Sequence, residues 1–346
     1  MVQQQEKSPA WPVWAVVVAL TMVGLLFLLP LLLLPGTEEE KATQPPQATL
    51  PLLDQAAPSP VPGWDAGEEL RLLHSDGTVE QLSLGNYLWG VVAAEMPASF
   101  HPEALRAQAV CARTYCVYQR GAKHVQADVC DDYTCCQAYL TPAQAQAQWG
   151  ADAQRWSDKI SAAVADTDGL LCLYDGQPID AVFFSSAAGR TRDAAAVWGT
   201  DVPYLTAVDS PEGVEVPGWQ TVVTMTLPEF AEKLLAVAPQ ADLSGPPQQW
   251  FSALKANDAG AVERVTIGGA TLSGGEVRAA FGLRSANFTA AADWGGVTFW
   301  VTGYGHGVGL SQYGANALAG EGKHFWEILE WYYTGVQVGP WRESEK

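Results

Sequence analysis

Basic residues are scarce. The 346-residue chain carries 19 Lys and Arg against 38 Asp and Glu, a formal charge of −19 at pH 7. A field of that sign repels phosphate backbones instead of neutralising them, so nucleic acid is excluded as a partner. Charged residues of either sign make up only 16%, while 48% are hydrophobic, enough apolar surface to offset the entropy of ordering one large or two small domains. The 33 glycines and 22 prolines stay below the share that signals low complexity. No internal repeat and no heptad run is present, which excludes solenoids and coiled coils.

One long apolar run stands out. Residues Trp11 to Leu34 contain no charge and would span about 36 Å as a helix, enough to cross a bilayer. A cleaved signal peptide is the alternative, but the run exceeds the usual apolar core of about 7–15 residues and no A-x-A site follows. Lys7 before the run, against Glu38, Glu39 and Glu40 after it, favours a cytoplasmic amino terminus. The expected organisation is a cytoplasmic tail (1–10), a single-pass membrane anchor (11–35), a Pro-rich tether (36–63) and an extracytoplasmic domain (64–346). Hypotheses built on cytosolic cofactors lose weight accordingly.

Within that domain the pattern predicts mixed α and β, an α+β fold of helices and short strands around a groove. Alternating runs about Asp76-Gly77 predict a hairpin over 68–84. Helical spacing runs from Gly85 to Met96, where Pro97 stops it, and a second helix starts at Pro102 and reaches about Gln119. Residues 141–165 read as one helix and 170–186 as a hairpin turning at Asp175-Gly176. A strand and helix follow over 221–238, Gly-rich strands over 259–275, a strand entering a glycine loop over 297–310, and a last helix over 324–333.

Chemistry concentrates in the stretch YLWGVVAAEMPASFHPEALRAQAVCARTYCVYQR, residues 87–120. It sets Glu95 among apolar residues between two helices, where desolvation raises a carboxyl pKa and leaves a group able to protonate a leaving oxygen. A capping or ion-paired glutamate is the alternative. Arg106 and Arg113, two helical turns apart, point the same way and are candidates to pair with Glu95 or to contact substrate. A second constellation, HVQADVCDDYTCCQAY at 124–139, spaces His124, Cys130 and Cys136 six residues apart with Cys135 adjacent. Imidazole with thiolates favours zinc, and a disulfide is the rival. The remaining Cys111, Cys116 and Cys172 read as small buried apolar residues.

The segments GVVAAEMPASFHPEALRAQAVCARTY at 90–115, GYGHGVGLSQYGANALA at 303–319 and EILEWYYTGV at 327–336, in that order, resemble the stage II sporulation protein D family, which also includes amidase enhancers. The resemblance covers most of residues 68–338. It implies a membrane-anchored lytic transglycosylase that cuts peptidoglycan glycan strands stripped of their stem peptides during forespore engulfment, with Glu95 as its catalytic acid. It also implies stage II sporulation proteins P, an amidase, and M as partners, and a zinc ion on His124, Cys130 and Cys136, with Cys135 able to fill the fourth position. A noncatalytic wall-binding amidase enhancer is the competing function.

Two further segments follow from the same resemblance. FFSSAAGRTRDAAAVWG at 183–199 departs from the family pattern, because Ala187-Ala188 stands where that pattern ends in two glycines; Ser185, Ser186 and Arg190 remain candidate groove residues. The glycine-rich 303–315 loop offers His306, Ser311, Gln312 and Tyr313 to the same groove.

Overall fold

The helix Pro102–Gln119 is the member about which the rest is built. His101 caps it, its ring nitrogen accepting from the Glu103 N–H, and Pro102 occupies the first turn where no N–H is needed. From Ala104 to Cys116 the helix is buried on nearly every face. Its Ala104, Ala107, Ala109 and Ala112 let neighbours approach closely. The helices Leu84–Glu95, Ala153–Ala165, Gln312–Gly320 and Phe325–Tyr332 and the strand Leu170–Tyr174 all pack against it. These positions come from a computed structural model that describes residues 57–340. The expected anchor at 11–35 and nearly all of the tether lie outside the described residues; among the described residues no helix is long and apolar enough to cross a membrane.

A buried ion pair fixes the start of the domain onto this helix. Arg113 is wholly buried and donates from Nε and Nη2 to the two carboxylate oxygens of Asp65 at 2.7 and 2.6 Å. Its other donors reach the Leu170 and Val164 carbonyls at 3.2 and 3.3 Å. With every donor used, the guanidinium tolerates its low-dielectric surroundings.

The elements follow the expected α+β order with local corrections. Strands Glu69–Leu73 and Val79–Ser83 form the hairpin, pairing Leu70 with Leu82, and Gly77 takes the left-handed φ of 87° that the turn requires. A third strand, Val129–Cys130, adds in parallel. The single helix expected over 141–165 is two, Pro142–Trp149 and Ala153–Ala165, because Gly150 adopts a φ of 53° and ends the first. The hairpin at Asp175-Gly176 forms between Leu170–Tyr174 and Gln177–Pro178, but Phe183–Phe184 leaves it and pairs in parallel with Leu310–Ser311.

Residues 220–302 carry a hydrophobic cluster of their own, centred on Phe230, Phe281 and Phe299. Two three-stranded antiparallel sheets and the helices Leu227–Val237 and Gly274–Phe281 enclose it. This second lobe is inserted between the chain segments that build the main core, which close again through Val308, Leu310, Ile328 and Tyr332.

Candidate functional site

Glu95 is the last residue of the helix Leu84–Glu95, two positions before Pro97, with Met96 as the C-cap. At that end the helix dipole and the surrounding side chains both disfavour a negative charge. Burial pushes the carboxyl above its ordinary range, opposed by hydrogen bonds from the Ala138 N–H, at 2.8 Å, and from Gln312. Gln312 begins the helix capped by Ser311 and also donates to Gln108 Oε1 at 3.4 Å. The sequence expectation of a carboxylate in an apolar setting between helices is met by this geometry.

Glu95 lies in the wall of a groove of about 890 Å³. One side of it comes from the main core, through Tyr115, Thr134, Cys136, Gln137, Ser185 and Gln312; the other comes from the second lobe, through Arg278, Leu283 and Arg284. Among the described residues lining it, Glu95 is the only carboxylate. The nearby aspartates are engaged elsewhere. Asp128 pairs with Arg71 at 3.2 Å, Asp131 with His74 at 3.1 Å, and Asp132 accepts from the Thr134 N–H at 2.8 Å.

The loop that carries Ala138 also carries the cysteines. His124, Cys130, Cys135 and Cys136 bring one ligand atom each to within 4.8 Å of one another. The sulfurs of Cys135 and Cys136 both lie 3.6 Å from His124 Nε2 and 3.9 Å apart. A tetrahedral zinc has edges of about 3.6 Å between nitrogen and sulfur and about 3.8 Å between sulfurs, so the three edges among His124, Cys135 and Cys136 match those of the metal. Burial pushes the Cys136 thiol up to about 12, so thiolates here need a cation beside them. The structure thus places Cys135 with the three ligands expected from spacing.

Other expected site residues are distributed differently. Ser185, His306 and Gln312 line the groove with Glu95. Arg113 is spent on Asp65, and Arg106 pairs with Glu103 and with Asp166 at 2.6 Å, so neither reaches Glu95; the shared direction inferred from their spacing leads to the 166–168 turn instead. Arg190 pairs with Asp209 at 2.7 Å. Ser186 is buried and bridges its backbone to Tyr304, Ser311 is buried against Glu212, and Tyr313 packs edge-on against Phe100 at 4.8 Å. Their roles are in packing. Ala187 is equally committed, its N–H donating to Glu212 at 2.6 Å and its carbonyl accepting from Trp219 Nε1 at 2.7 Å.

The glycine loop is a matter of clearance. Gly303, Gly305, Gly307 and Gly309 all have φ between 77° and 118°, and a Cβ at Gly305 or Gly309 would fall 2.6 Å from Phe184 or 2.2 Å from the Val182 carbonyl. His306 latches this loop. Its Nε2–H donates to the Phe183 carbonyl at 3.0 Å and Nδ1 accepts from the Val308 N–H at 3.1 Å, so neither nitrogen is free for substrate or for Glu95.

Sequence reasoning missed Gln137, Arg278 and Arg284. Gln137 sits beside Cys136, and that adjacency was the available signal. Arg278 and Arg284 come from a segment with no motif; nothing in the sequence tied them to Glu95.

Fold and site together define a mixed α+β protein whose groove offers one protonatable carboxyl beside a His/Cys cluster. A sequence model described as "Stage II sporulation protein" matches residues 74–174. The chain is 39% identical over 269 residues to the stage II sporulation protein D of Bacillus amyloliquefaciens, covering 76% of each. It is 37% identical over 277 residues to that of Bacillus subtilis, covering 75% of this chain and 76% of the relative. The amidase enhancer of Bacillus subtilis is 28% identical over 301 residues, covering 72% of this chain and 40% of that protein. The chain belongs to the stage II sporulation protein D family.

The His306 latch has a pH signature. Burial and the charge of Arg278 hold its imidazole down to about 4, against 6.5 for the free group. As pH falls the unfolded chain takes the proton first, so stability present above 6.5 is lost between 6.5 and about 4, by about 3 kcal/mol. Denaturant unfolding at pH 7 and pH 4 checks this. His306→Gln, which preserves a donor and an acceptor, should lose less over that interval; an equal loss in both proteins rules the latch out as the cause.

Proposed function

We propose that this protein is a lytic transglycosylase of peptidoglycan, cutting between N-acetylmuramic acid and N-acetylglucosamine in glycan strands that lack stem peptides. The observation that carries the reading is a single carboxyl, raised in pKa by burial, in a groove large enough for several sugars and lined by no second carboxylate. Glu95 donates its proton to the glycosidic oxygen as positive charge develops on the muramic sugar. The resulting carboxylate then takes the proton of the muramic 6-hydroxyl, whose oxygen closes a 1,6-anhydro ring. One carboxyl serves both steps, whereas an inverting hydrolase needs a second to hold water. Membership of the sporulation family supports sporulation as the setting; forespore engulfment and the stage II sporulation proteins P and M as partners are what the sequence resemblance implies.

His124, Cys130, Cys135 and Cys136 would hold zinc in a closed site whose contribution is a crosslink. The loop it pins runs straight on to Ala138, so the Ala138 N–H is presented to Glu95 at a fixed place. Residues 11–35 would anchor the protein in the cell membrane with the groove outside.

Mass spectrometry of digested denuded strands tests the chemistry. Products with 1,6-anhydro ends are expected, at least about a thousandfold fewer with Glu95→Gln. That variant should unfold at the same or higher temperature at neutral pH, because it removes a buried ionisable group and retains an acceptor for Ala138. Intact strands from the native protein would favour a noncatalytic amidase enhancer, and plain reducing ends a hydrolase.

For the metal, elemental analysis should find about one zinc per chain. Cys130→Ser and Cys135→Ser should each lower that content and the thermal stability; full zinc retention by Cys135→Ser would remove it from the ligand set. Membrane fractionation should place the whole chain in the carbonate-resistant pellet and a form starting at residue 57 in the supernatant. A pelleted truncation would refute the anchor.

A further inference from the structure

In this acidic protein arginines are generally paired. Arg71, Arg106, Arg113, Arg120, Arg155 and Arg190 each contact a carboxylate. Among the described residues Arg192, Arg264, Arg278 and Arg284 have no carboxylate within salt-bridge distance, and of these Arg278 and Arg284 line the groove. Arg284 stacks on the Tyr304 ring at 4.1 Å and gives one hydrogen bond, to the Gly218 carbonyl at 3.2 Å, leaving most of its donors unused. Arg278 lines the groove from the last turn of the helix Gly274–Phe281. Gly282, left-handed at φ 65°, reverses the chain there and brings Arg284 to the same wall. Arg192 stands behind His306, buried, with its Nε unpartnered.

Arg192 and Arg278 are near enough to repel one another, and the charge of Glu263 offsets only part of this. Burial and the nearby Arg278 charge lower the Arg192 pKa, and burial lowers that of Arg278. Such an arrangement is stable where an anion completes it. The chain as a whole carries −19, so an anionic ligand reaches the protein only where the local field is reversed. The groove wall opposite the main core is that place.

We propose that Arg278 and Arg284, with Arg192 reinforcing the field behind them, form a carboxylate receptor that reads the free lactyl group of N-acetylmuramic acid; the proposal rests on the glycan reading above. Removing a stem peptide leaves one such carboxylate on every muramic residue, whereas an attached peptide converts it to an uncharged, bulky amide. A planar guanidinium accepts a carboxylate through two parallel N–H donors, and neither requires the peptide to be present. The preference for denuded strands then resides in the second lobe, and the cleavage chemistry resides in the main core with Glu95.

Binding measured without turnover separates the two ideas. End-labelled denuded strands are titrated with Glu95→Gln protein and followed by fluorescence anisotropy. Adding Arg278→Gln or Arg284→Gln to that background should weaken binding by about tenfold or more. Converting the lactyl carboxylates of the strands to methylamides should weaken binding to the parent by a similar factor, and the arginine variants should then show no further loss. Unchanged binding by both variants, or an equal loss on native and amidated strands, overturns the receptor; thermal unfolding confirms that each variant is folded. Cleavage by the native protein with arginine-independent binding leaves the transglycosylase reading standing and removes this one. Carboxylate-dependent binding without cleavage does the reverse.

Discussion

The arrangement around Glu95 depends on keeping a carboxyl out of water without neutralising it through an ion pair. A lysine or arginine at that point would lower its pKa and end its usefulness as an acid. The protein supplies the Ala138 N–H and the Gln312 amide, two neutral donors that orient the group while burial raises its pKa. Both donors arrive from far along the chain. Most of the main core can be understood as the scaffold that delivers them to the end of one helix.

The neighbouring positive charge is accordingly kept on the other wall. Arg106 and Arg113 lie on the helix next to Glu95 in sequence, yet both are drawn away, one to Asp166 and the other to Asp65. The groove's unpaired guanidiniums, Arg278 and Arg284, belong to the second lobe, which has its own aromatic core about Phe230, Phe281 and Phe299 and holds its surface without leaning on Glu95. A groove between two independently packed walls can therefore combine an acid whose pKa must stay raised with cations that attract a negative strand.

The cysteine loop and the glycine loop are two solutions to one problem, holding irregular backbone in place. The first gathers one imidazole and three thiols within 4.8 Å of one another from thirteen residues, 124 to 136. The second removes side chains, so that 303–309 can lie against Val182, Phe184 and Arg192, and then ties itself down through both nitrogens of His306. The histidine looked from sequence like a substrate contact. Its hydrogen bonds make it a fastening, because an imidazole satisfied by backbone on both sides has nothing left to offer a ligand.

Local order was readable in the chain. The helix around Glu95, the long helix after Pro102, the Asp76-Gly77 hairpin and the His/Cys spacing are set by interactions a few residues long: caps, turn conformations, apolar periodicity and ligand intervals. Gly150 was misjudged inside a helix because composition alone outweighed one left-handed position. What the chain could not reveal is which distant groups meet. Arg113 chooses Asp65, and Arg278 and Arg284 come to face Glu95, through the packing of two hydrophobic cores, and no short-range pattern encodes that choice. Residue chemistry was determined by the sequence itself; partnership, and with it the division between acid and cation walls, was decided by tertiary structure, because burial and distance set the electrostatics.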